Sequence, residues 1–66
     1  MYPELVNLTP AMRVAMHYLA DGKDNRAIAA ATGLDIAAVS SLLFDCCQTL
    51  GVRSRAELAL VARRHH

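Results

Sequence analysis

All three glycines of this chain stand where a run of helix-forming residues ends, and each run begins at a side chain able to cap a helix. Thr9 followed by Pro10 opens the first run, with a hydroxyl to accept a free backbone N–H and a proline whose missing N–H costs nothing in the first turn. This pairing predicts a helix over residues 10–20, stopped by Gly22 in the left-handed conformation. Asp24 opens a short second helix over residues 25–32, and Gly33 ends it. Asp35 opens a third, which Gly51 ends. Ser54 opens a fourth that runs to the end of the chain, and Glu57 three residues later completes a capping box. The punctuation therefore describes an all-α chain of four helices.

Apolar spacing agrees with it. Met12, Ala15, Met16 and Leu19 share one face of the first helix, Ile28 marks the inner side of the second, and Val39, Leu43, Cys46 and Leu50 share a face of the third. Sixty-six residues make one domain. A chain of this size buries only about 60% of the surface its unfolded form exposes, so a partner subunit would add useful burial. Residues 1–7 read as a lead-in that is poorly ordered unless Tyr2, Leu5 or Val6 docks on the body, residues 8–64 as the domain, and His65 and His66 as a tag-like end left out of the functional argument.

The net charge of +1 is low for a dedicated nucleic-acid module, but a local patch matters more than the total. No signal peptide and no uninterrupted apolar run of bilayer length is visible, so a cytoplasmic protein without a membrane span is expected. Cys46 and Cys47 are neighbours, which a continuous helix cannot join in a disulfide, and they read as buried thiols packed like small apolar groups. With His17 they do not form a ligand set of metal-site spacing. No paired carboxylates or nucleophile–base–orienter set suggests an enzyme, and no cofactor is expected.

The segment Thr32-Gly33-Leu34-Asp35 is a tight turn between the second and third helices, the pattern of a helix-turn-helix. Around it stand Leu8-Thr9-Pro10, Leu19-Ala20-Asp21-Gly22, Asn25-Arg26-Ala27-Ile28-Ala29, Val39, and Leu50-Gly51-Val52-Arg53-Ser54-Arg55-Ala56-Glu57-Leu58, in order and at matching intervals. Over residues 8–64 the chain resembles the LuxR-type (GerE-like) helix-turn-helix domain. The stretch from Leu50 to Leu58 is the most specific part of the likeness. The resemblance implies a transcription regulator whose third helix enters the major groove and whose fourth makes a dimer contact.

The departures from that family are concentrated. Ala11, Met12 and Val14 replace most of the charges that open the family's first helix, leaving Arg13, and Arg26-Ala27 stands where Lys-Glu is usual. In the third helix Ala38-Val39-Ser40-Ser41-Leu42 replaces a stretch that carries lysine and histidine, and Asp45, Gln48 and Thr49 occupy places where Arg or Lys is usual. The segment over residues 34–50 holds no Lys, Arg or His. Most DNA affinity comes from cations that neutralise phosphates, and Arg or Lys to guanine is the commonest specific base contact.

A helical wheel nevertheless turns Ser40, Ser41, Phe44, Asp45 and Gln48 away from the buried stripe. Of these, Ser40, Ser41, Phe44 and Gln48 are the candidates for base contacts, with Gln48 suited to adenine and Phe44 to a thymine methyl. Arg13, Arg26, Arg53 and Arg55 are the candidates for phosphate contacts, and each also reads as an ordinary surface cation. For Phe44 three occupants compete: residues 1–7, DNA, and a protein partner, with Leu42 enlarging an apolar patch beside it.

The fourth helix is apolar on two sides. Leu58, Val61 and Ala62 face the core, while Ala56, Ala59 and Leu60, with Arg63, form the face expected to meet a second copy in a homodimer. Two functions follow as expectations: a DNA-binding transcription regulator lacking a sensory domain, with double-stranded DNA as partner, or a protein-interaction module, an anti-activator or adaptor, that binds another regulator through its uncharged third helix.

Overall fold

The computed structural model describes residues 8–64, which form four helices: α1 (Pro10–Ala20), α2 (Asn25–Thr32), α3 (Ile36–Leu50) and α4 (Arg55–Arg64). The architecture is all-α, as the punctuation predicted. The expectations for residues 1–7 and 65–66 lie outside the described residues.

The caps act where the sequence placed them. Thr9 Oγ1 accepts from Met12 N at 3.2 Å, Asp24 Oδ1 from Ala27 N at 3.0 Å, and Asp35 Oδ1 from Ala38 N at 2.7 Å. Each supplies a partner for an N–H that the helix cannot satisfy internally. The fourth cap differs in one detail. Ser54 Oγ accepts from Glu57 N at 3.1 Å, but the Glu57 carboxylate returns to the N–H of Arg53, at 3.0 Å, one residue before the cap. In the turn before it, Val52 N donates to the Cys47 carbonyl at 3.0 Å.

One core unites the four helices. Ala15, Met16 and Leu19 of α1, Ile28 of α2, Val39, Leu43, Cys46 and Leu50 of α3, and Leu58, Val61 and Ala62 of α4 are buried together, with Leu8 and Val52 closing its ends. Helix α1 packs on each of the other three, α3 packs on α2 and α4, and α2 and α4 do not pack on each other. The assembly leaves α3 clasped along its inner face and open along its outer one.

Two expectations need correction. Cys47 is only half-buried, because it lies about 100° around the helix from fully buried Cys46. Its thiol points to the Ser54 carbonyl at 4.0 Å. Ala59 is not on the outer face of α4. It is half-buried against the core, while Ala56, Leu60 and Arg63 are exposed. Ala59 follows Leu58 by one step of the helix and so stays near the seam with the core.

Candidate nucleic-acid interface

The turn into α3 sets the site. Gly33 has φ of +74°, a left-handed conformation that a side chain would strain although nothing stands within 4 Å of where its Cβ would lie. Its backbone conformation, not lack of space, is what calls for glycine. Gly33 N donates to the Ala29 carbonyl at 2.9 Å, which finishes α2. Thr32 Oγ1 donates to the Ile28 carbonyl at 2.8 Å and accepts from Leu34 N at 3.4 Å, holding the exit of the chain. Asp35 then starts α3, and the axis bends by 97° between α2 and α3. A near-perpendicular pair joined by three residues that include glycine is helix-turn-helix geometry.

Beside the outer face of α3 lies an open groove of about 490 Å³. Its floor is Leu43, Cys47 and Val52. Ser40, Phe44 and Gln48 form the α3 side, and the first residues of α2 and α4, Asn25 and Arg55, close the opposite side with Arg53 and Ser54. Five of the eight residues expected at a DNA surface thus meet on one concave face: Ser40, Phe44, Gln48, Arg53 and Arg55. Ser41 is exposed on α3 but turned off the groove. Arg13 and Arg26 are exposed on α1 and α2 and do not line it, and Arg13 Nε donates to the Leu8 carbonyl at 3.4 Å.

Arg55 has a structural partner that the sequence did not announce. Its guanidinium donates to Asn25 Oδ1 at 2.6 Å and to the Lys23 carbonyl at 3.4 Å, residues about 30 positions away in the chain. Helices α2 and α4 do not pack on each other, and this side chain bonds across between their N-termini. Beside it, the carboxylates of Asp24 and Glu57 accept backbone N–H groups at the starts of α2 and α4. The cations that line the groove, Arg53 and Arg55, stand opposite α3, while the α3 residues that line it carry no charge.

Apolar exposure is concentrated on α3. Phe44 is 63% exposed and Ile36 48%, and Leu34 in the turn is also exposed. Ile36 is an exposed apolar residue that the sequence pattern did not single out, and it does not line the groove itself. The signal was its register: Ile36, Ser40 and Cys47 lie at nearly one azimuth, so Ile36 continues the groove face toward the N-terminus of α3.

Burial shapes the cysteine chemistry. Desolvation pushes the Cys46 thiol up to about 11, with help from the negative charges that Cys47 and Asp45 carry when ionised. Cys47 is also raised, first by burial and then by Glu57. Both stay as neutral thiols near pH 7, poor nucleophiles and poor metal ligands. No three His, Cys, Asp or Glu side chains gather in a metal-binding arrangement among the described residues, and no single helix there is long and apolar enough to cross a membrane.

No family model, no curated protein and no solved structure matches this chain.

Proposed function

We propose that the chain is a DNA-binding transcription regulator of the LuxR-type helix-turn-helix class. The observation that carries this reading is the groove: a perpendicular α2–α3 pair presents the outer face of α3 beside a wall that holds Arg53 and Arg55. Laid in a major groove, α3 spans about 22 Å at 1.5 Å per residue. Its N-terminal half would meet base edges, as in other helix-turn-helix proteins. Arg53 and Arg55 would meet the phosphates where the helix leaves the groove, and Arg26 and Arg13 those on the far side. A second copy would join through the exposed stripe Ala56, Leu60 and Arg63 on α4, where Leu60 is 47% exposed.

Fluorescence anisotropy against genomic fragments, titrated from low salt upward, tests the reading. With four arginines per protomer available for phosphates, the log–log slope is expected to be no steeper than roughly −4 per protomer. Arg53→Ala should weaken binding to all sequences and reduce the slope by about one. Absence of binding at micromolar protein in low salt would remove the proposal.

A second reading has its own observation. Phe44 is 63% exposed on a helix with no basic residue, a surface suited to anchoring another protein. On that reading Phe44→Ala abolishes capture of a partner regulator and leaves DNA binding unchanged.

A further inference from the structure

We infer that α3 discriminates base pairs chiefly through the thymine methyl group, with Ile36 as the specificity-determining side chain; the inference rests on the DNA-binding reading above. Four facts on the outer face lead to it. The helix carries no Lys, Arg or His, so it lacks the forked or pointed donors that read guanine O6 and N7. Its first turn, the part of a recognition helix that reaches deepest, presents Ile36 at 48% exposure beside exposed Ala37. One turn on, Ser40 is small enough to let the helix approach closely. The cations of the site, Arg53 and Arg55, stand at the opposite end of the helix, where they match phosphates rather than bases.

The major groove offers few surfaces that an isoleucine can use. Base edges there are donors and acceptors, except for the C5-methyl of thymine. Burying Ile36 against a polar edge would strip water from that edge and return no hydrogen bond, a penalty that opposes G·C pairs. Burying it against a methyl group removes apolar surface on both sides from water. The neutral helix is thus a selective surface rather than a defective one: it gains at A·T pairs and pays desolvation elsewhere. Gln48, twelve residues and just over three turns from Ile36, adds the side-chain amide that suits adenine.

The test removes the methyl and nothing else. Binding of the full chain is measured by anisotropy at one salt concentration to an alternating adenine–thymine duplex, and to the same duplex with uracil in place of thymine. The thymine duplex should bind tighter by roughly fourfold or more, the factor expected for burying one methyl group. The ratio should fall toward one in Ile36→Ser and persist in Ile36→Val. A matching gain should appear when 5-methylcytosine replaces cytosine in a guanine–cytosine duplex. Both substitutions fall at an exposed first-turn position, and unchanged thermal unfolding would show that the fold is kept. Equal affinity for thymine and uracil duplexes, or a ratio that survives Ile36→Ser, overturns this inference and leaves DNA binding standing. Failure to bind any of the duplexes overturns both.

Discussion

The inner and outer sides of α3 both carry large apolar side chains, and only the inner ones are buried. The inner face is Val39, Leu43, Cys46 and Leu50, all buried against α1, α2 and α4. The outer face holds Ile36 and Phe44, as apolar as anything inside, yet exposed, interleaved with Ser40, Ser41 and Gln48. Burial is what converts an apolar side chain into stability, since only surface removed from water on folding contributes. The inner residues hold the domain together. The outer ones keep about half or more of their surface in water in the folded chain, Ile36 48% and Phe44 63%, so much of their apolar character is available to something that binds. In a small domain with one core, a single helix can fasten the fold and present a surface when its inner stripe is buried and the residues beside and beyond that stripe stay exposed.

Leu43→Ala removes a buried side chain from the middle of the inner face and should cost about 2–5 kcal/mol. A single core in a domain of this size rarely supplies more than about 3–5 kcal/mol, so the variant is expected to be largely unfolded at 25 °C. Loss of helical circular dichroism and of a cooperative melt checks it. A variant that melts like the parent would mean that the inner face is not the fastening one.

Alkaline pH probes the same face without changing its shape. Cys46 is fully buried, and desolvation raises its thiol from 9.0 to about 11. The folded state therefore holds the proton to higher pH than the unfolded state does. Stability from this group is whole below pH 9 and is lost as pH rises from 9 toward 11. At most the loss is on the order of 2–3 kcal/mol, the value of a two-unit shift. Urea unfolding from pH 8 to 10.5 should show the decline, and Cys46→Ala should remove that part of it. An identical decline in Cys46→Ala would assign the pH dependence to other groups.

What the sequence made legible was local or periodic. Caps and stops depend on residues within four positions of one another, so Thr9, Asp24, Asp35 and Gly33 could be placed without knowing the rest of the fold. The inner stripe of α3 was legible because a 3.6-residue period shows up whenever one side is apolar. The outer side resisted for the same reason. With Ile36 and Phe44 outside, the contrast between faces is weak, and nothing in the pattern says which end of α3 is exposed. Arg55 resisted for a different reason. Its partners Asn25 and Lys23 are distant in sequence, and only the approach of the two helix N-termini brings them within reach. Ala59 and Cys47 were misplaced by residues at the seam, where one helical step of 100° decides between core and solvent. The convergence of Ser40, Phe44, Gln48, Arg53 and Arg55 on one groove was implicit in their selection but needed the α3–α4 turn to become a surface.

Phe44→Ala gives the smallest effect on stability and the sharpest contrast with Leu43→Ala, its neighbour in sequence. The ring is 63% exposed, so its removal opens no cavity, and alanine is the better helix former by a few tenths of a kcal/mol. Unfolding free energy should change by less than about 0.5 kcal/mol, with either sign. Binding should not be spared. The ring stands between Ser40 and Gln48 on the groove, where truncation removes contact area with whatever lies against α3. Adjacent positions on one helix would then report separately, Leu43 first on folding and Phe44 on binding. A destabilisation of Phe44→Ala by 2 kcal/mol or more, measured by urea unfolding, would mean that the ring is covered in solution, and the division of α3 into a fastening face and a presenting face would fail at its central residue.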